Sequence, residues 1–176
     1  AIEILAEAFA APISADEIAA AYFRRRRYAG SGDRRAVQER VFGMLRRKAR
    51  LEWHIGRFSA APPSPRALAL ADLIVGDGLG ANDAERLFAS SRHAPEPPTE
   101  AERALARALE GHALDDPAMP DPVRLEYPAW LDSSLRVAFG DRLAEEMFAF
   151  NRQAPLDLRV NAIKGLGRVL SRAYER

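Results

Sequence analysis

The sequence predicts a mainly α-helical protein, and three observations carry that prediction. Apolar residues recur at helical spacing through most of its 176 residues, helix-capping sequences stand ahead of several of these runs, and prolines and glycines gather between them. The predicted architecture is a helical bundle over residues 1–120, followed over 121–176 by the opening helices and first strand of an incomplete α+β domain.

Ile2, Leu5 and Phe9, with Ile4 and Ala8 beside them, predict a first helix that runs to about Ala11 and is ended by Pro12. Ser14-Ala-Asp-Glu17 has the form of a capping box. The helix it opens carries Ile18 and Tyr22 on one face and delivers Arg24, Arg25, Arg26 and Arg27 at its C-terminal end, where positive charge complements the helix dipole. Tyr28-Ala-Gly-Ser-Gly-Asp33 is a break, and Asp33 is read as the cap of a third helix. Its core-facing stripe is Val37, Val41, Met44 and Leu45. On a helical wheel Arg35, Arg46 and Arg50 fall nearly opposite that stripe, with Glu39 among them. Leu51, Ile55 and Phe58 continue an apolar segment that Pro62-Pro-Ser-Pro65 stops.

Ser64 and Pro65 suit the N-cap and first position of another helix, and Arg66 to Asp77 is apolar on most of its circumference, which makes it the central helix. Gly76, Gly78 and Gly80 end it, and a short helix follows from about Asn82 to Ser90. Ala94 to Pro98 is a proline-rich connector, and Thr99-Glu-Ala-Glu102 is a second capping box, ahead of Leu105 and Leu109. Three prolines and several acids between Ala113 and Tyr127 predict an irregular, exposed domain boundary, with Asp115, Asp116 and Asp121 solvated. Pro128 to Phe139 and Arg142 to Arg152 are predicted helices separated by a stop at Gly140, and Trp130 is expected to pack. Leu156, Leu158 and Val160 alternate with polar residues, as in a half-buried strand.

Charge is segregated along this chain. Residues 22–57 hold twelve Lys and Arg against three Asp and Glu, a local balance of +9, while the net charge of the whole is +1. A basic helical hairpin in an otherwise acidic chain predicts a surface for a polyanion, and RNA is the expected partner. With no cysteine, the chain has no disulfide, thiolate nucleophile or cysteine metal site. His54, His93 and His112 are scattered, so no metal ligand set is assigned. No apolar run approaches the roughly 20 residues of a membrane span and no secretion signal stands at the start, so a cytoplasmic protein without membrane association is expected.

Two stretches carry a resemblance. DRRAVQERVFGMLRRKARLEWHI, residues 33–55, resembles NusB-like domains, which are all-helical RNA-binding modules. YPAWLDSSLRVAFGDRLAEEMFAFNRQAPLDLRVNAIKG, residues 127–165, resembles the segment ahead of the catalytic domain in the Sun/Fmu-type RNA cytosine-5 methyltransferases, with PAWL, FG, AP and LRVN in that order. The resemblance implies a NusB-like bundle fused to the start of the pre-catalytic domain, ribosomal RNA as partner, and S-adenosylmethionine as the cofactor of a C-terminal catalytic domain. That family's chemistry uses cysteines, and here there are none. Gly76-Asp-Gly-Leu-Gly80 has neither the preceding strand nor the following βαβ unit of a nucleotide-cofactor turn. The expectation is therefore a chain with no cofactor of its own that positions RNA for a catalytic domain elsewhere. The alternative is a free-standing NusB-like interaction module of a transcription or ribosome-assembly complex, and whether the bundle forms a homodimer stays open.

The residues expected to contact RNA are Arg24, Arg25, Arg26, Arg27, Arg34, Arg35, Arg46, Arg47, Arg50 and, in the predicted strand, Arg159. No catalytic residue is assigned. Both arginine clusters are expected to form one surface, with Arg46, Arg47 and Arg50 pointing away from the core.

Overall fold

The structure, a computed structural model, describes residues 1–88 and 94–154. Among these residues the regular structure is helical, and no helix is long and apolar enough to cross a membrane. The strand expected at Leu156 to Val160, and Arg159 with it, lie outside the described residues.

Helix α1 (Ile2–Ala10) packs on α2 (Ala15–Arg25) through Ile4 and Leu5 from one and Ile18, Ala19 and Phe23 from the other. The buried face of α1 is thus rotated from the predicted one, and Phe9 is 41 % exposed. Ser14 Oγ accepts the Glu17 N–H at 3.3 Å and starts α2. Helix α3 (Ser31–Arg46) begins earlier than expected. Gly30 is its N-cap, and Asp33 sits at the third position, its carboxylate accepting the Gly30 N–H at 3.2 Å. At Arg47, with φ −121° and ψ 23°, the backbone leaves helical geometry, and a separate helix α4 (Lys48–Phe58) starts. The sequence wheel carried Arg50 through this break, so its placement beside Arg46 does not hold.

Helix α5 (Pro65–Ala71) is the centre of the bundle. Ser64 Oγ caps it by accepting the Ala67 N–H at 3.1 Å, Pro65 fills the first turn where no amide partner is needed, and all residues from Ala67 to Ala71 are buried. α1, α4 and α7 (Glu100–Leu109) surround it. Alanine predominance lets these neighbours approach closely, while Leu68 and Leu70 supply most of the apolar volume. A π-helical turn, Asp72–Gly76, continues α5, and α6 (Ala81–Leu87) packs beside α7. The capping box of α7 is complete: Thr99 Oγ1 accepts the Glu102 N–H at 3.2 Å, and the Glu102 carboxylate accepts the Thr99 N–H at 2.8 Å.

Beyond α7 the segment predicted to be a loose boundary is strapped to α4. His54 bonds to the Leu114 carbonyl, Arg50 pairs with Asp115 and Glu126, Arg57 pairs with Asp116, and Met119 and Leu125 are buried. Within it α8 (Asp121–Arg124) forms one helical turn, because Pro122 occupies an early position that tolerates its missing N–H. Asp121 pairs with Arg124 and Arg136 and is not simply solvated.

A second, smaller apolar cluster then begins. Leu125, Tyr127, Leu143 and Met147 are its buried residues, supplied by the strap and by α10 (Leu143–Phe150), with Leu135 and Phe139 of α9 (Asp132–Phe139) packed against them. The first cluster ends at Leu114 and the second starts at Leu125, so the change of core falls inside the strap. Gly140, at φ +54°, makes the reversal between α9 and α10 in a region where a side chain would be strained. Tyr127 donates its hydroxyl to Asp132 at 2.6 Å, and burial, with that bond, pushes the phenol up to about 12. Trp130, expected to pack, is 78 % exposed, since the 3₁₀ turn Ala129–Leu131 directs it off the cluster.

Candidate nucleic-acid interface

Helix α3 presents three different faces, and its 3.6-residue period assigns each arginine to one of them. Val37, Val41, Met44 and Leu45 meet the core. Arg40 and Arg47, seven residues apart, share a flank facing the π-helical turn. Arg35, Gln38, Glu39, Phe42 and Arg46 fall within an arc of about 100° on the opposite flank.

The Arg40/Arg47 flank is structural. Asp72 is fully buried, and it pairs with Arg40 Nη1 at 2.7 Å and with Arg47 Nε at 2.5 Å. The latter contact is an ion pair without the alignment of a hydrogen bond. Asp77 extends the group, pairing with the same two arginines. Burial opposes the Arg40 charge, but its bonds to Asp72 and Asp77 outweigh that and hold its pKa above the ordinary value. Gly76 leaves room for the cluster, since a Cβ there would lie 3.1 Å from the Arg47 guanidinium carbon. The space beside Gly76 is thus filled by Arg47 and Asp72.

Arg50 is likewise committed. Its side chain is 13 % exposed and bonds to Asp115 at 2.7 Å and to Glu126 at 3.0 Å. Burial works against its charge, and the two carboxylates more than compensate, so its pKa lies above the ordinary value. Arg47 and Arg50 thus point into the protein, contrary to the expectation that both lie away from the core. The reason is tertiary: buried carboxylates 25 and 76 residues downstream in the chain need cationic partners.

At the end of α2 the four consecutive arginines divide. Arg25 pairs with Glu7 at 3.4 Å, and Arg26 pairs with Glu3 at 2.5 Å while its guanidinium lies 3.8 Å from the centre of the Tyr22 ring. Both therefore face α1. Arg24 and Arg27, with Arg34, Gln38 and Phe23, line a groove of about 550 Å³, and Arg24 also borders a hollow lined by Glu7 and Glu17. Arg34 Nε donates to the Ala29 carbonyl at 2.9 Å, which fixes its guanidinium at the groove wall.

A second groove, of about 340 Å³, is formed by the outer flank of α3 and Gln153. Gln38 belongs to both grooves, so they make one continuous strip along α3. Arg24, Arg27, Arg35 and Arg46 have no ion-pair partner among the described residues, and Glu39 is the strip's one carboxylate. Of the ten arginines expected at RNA, the structure brings five together here, sets four in internal or α1 contacts, and does not describe Arg159.

Gln38 and Phe42 were not singled out from sequence, although their spacing from Arg35 by three and seven residues places them on its face. Gln153 carries no such signal, since only the return of the chain after α10 brings it to α3. No protein-family model, no curated protein and no solved structure matches this chain.

Proposed function

We propose that this chain is an RNA-binding region of an S-adenosylmethionine-dependent ribosomal RNA cytosine-5 methyltransferase, holding RNA for a catalytic domain outside the chain. The observation that carries the proposal is the strip on α3, where Arg24, Arg27, Arg34, Arg35 and Arg46 converge and four of the five have no counter-charge among the described residues. Unpaired guanidinium groups along α3 and at the end of α2 offer phosphate contacts, which supply affinity and register. Leaving them unneutralised costs the fold self-repulsion, and a polyanion relieves it.

Gln153 at the second groove supports the positioning role, because it brings the segment that follows α10 beside the arginine strip. The likeness of residues 33–55 to NusB-like modules and of residues 127–165 to a methyltransferase pre-catalytic segment supports the enzyme class.

The test is RNA binding by fluorescence anisotropy across a salt series. Each neutralised phosphate contributes about −0.7 to the slope of log K against log salt on a single strand, so replacing Arg24, Arg27, Arg35 and Arg46 with Gln shallows the slope by up to about 3. Identical curves for variant and parent reject the proposal.

A further inference from the structure

The second groove has a composition that phosphate binding alone does not call for. Phe42 lies at its centre, half-buried on the outer flank of α3 and separated from the core stripe of that helix. Gln38 and Glu39 stand one turn before it and Arg46 one turn after it, positions whose Cβ atoms are about 5–6 Å away on a helix surface. Arg35 closes the N-terminal end, and Gln153 forms the facing wall.

We infer that this groove is a subsite for one unstacked base of single-stranded RNA, with guanine preferred. The inference rests on the RNA-binding reading above. Phe42 supplies an apolar face on which a base stacks. Arg35 and Arg46, at the two ends, are placed for the phosphates before and after that nucleotide. Polar groups at the rim read the base edge, and Glu39 decides the preference. A carboxylate only accepts hydrogen bonds, with two parallel oxygens. Guanine alone among the four bases offers two adjacent N–H donors, N1–H and the N2 amino group, on its Watson–Crick edge, so the pair matches in bidentate geometry. The Gln38 and Gln153 amides can each donate to the guanine O6 acceptor beside them. A carboxylate amid cations that bind phosphate weakens phosphate affinity, and base recognition gives its presence a compensating function.

The experiment uses the whole chain and four labelled RNA oligonucleotides, identical except for a central G, A, C or U in a uridine-poor unstructured context, with a fifth carrying inosine. The parent binds the G oligonucleotide at least about fivefold more tightly than the A, C and U ones, and inosine, which lacks the N2 amino group, falls between. Phe42→Ala weakens the G oligonucleotide by about 5- to 100-fold. Phe42→Leu keeps the apolar contact without the ring and still loses most of that affinity, which separates stacking from loss of fold. Glu39→Gln raises affinity for the A, C and U oligonucleotides, which lose only a repulsive charge, and abolishes the preference for G. Equal binding of the four bases by the parent overturns the subsite while leaving the RNA-binding reading intact. No binding of any of them overturns both.

Discussion

The carboxylate of Glu126 lies at the N-terminus of α4 and accepts the backbone N–H of Ala49 at 2.8 Å, from 77 residues further along the chain. It also accepts the Arg50 N–H at 3.1 Å and Arg50 Nε at 3.0 Å. Helix α4 has no side-chain cap of its own, and Glu126 supplies one from the strap. To do so Glu126 takes a φ of +58°, which strains a residue with a Cβ. Burial pushes its carboxyl up, and the Arg50 and Ala49 amides and the Arg50 guanidinium pull the other way.

Glu126→Ala is expected to destabilise the protein by about 1–3 kcal/mol in urea unfolding, because the α4 amides and Arg50 lose an acceptor. Glu126→Gly loses the same bonds but relieves the backbone, and is expected to be about 1 kcal/mol less damaging than Ala. In either variant trypsin should cut after Arg124 sooner than in the parent, as release of the strap exposes that peptide bond.

Arg46 and Arg47 are adjacent in sequence and should behave oppositely. Arg47→Gln leaves the buried Asp72 short of a partner and is expected to cost about 3 kcal/mol, whereas Arg46→Gln changes stability by less than about 0.5 kcal/mol. Chemical denaturation of the two variants side by side is the measurement. Equal costs would contradict the assignment of these residues to different faces.

The four arginines ending α2 should likewise separate in RNA binding. Arg24→Gln/Arg27→Gln is expected to shallow the salt slope by up to about 1.4, the share of two phosphates. Arg25→Gln/Arg26→Gln removes charges that Glu7 and Glu3 already neutralise, and should change it by less than about 0.7.

His54 is fully buried, and its Nε2 bonds to the Leu114 carbonyl at 3.1 Å, so that nitrogen carries the proton in the neutral ring. Its Nδ1 has no hydrogen-bond partner among the described residues. Burial lowers its pKa below 6.5, with the Leu114 bond opposing. The unfolded chain then binds the proton first as pH falls, so the contribution of His54 to stability is complete above about pH 6.5 and declines below it. The decline approaches about 1.4 kcal/mol per pH unit for this one group. His54→Gln keeps a donor that does not titrate, and its stability should fall less steeply than that of the parent between pH 6.5 and 5.5.

Sequence alone determined what depends on neighbours along the chain. Ser64-Pro65 and Thr99 to Glu102 marked helix starts because a cap acts over three residues, and Val37, Val41, Met44 and Leu45 marked the inner face of α3 because helical period is a local property. The concentration of cations between Tyr22 and Arg57 was equally legible. Which of those cations faces solvent was decided only by tertiary structure. Arg47 turned inward to Asp72 and Arg50 to Glu126, while Arg46 stayed on the strip, because the buried carboxylates that claim the first two arrive from distant segments. The same holds for the strap. Its prolines and acids read as a loose linker, yet each carboxylate found an arginine or a helix end on α4 or α9, and a charge that is paired across the fold carries no mark of that pairing in its local sequence.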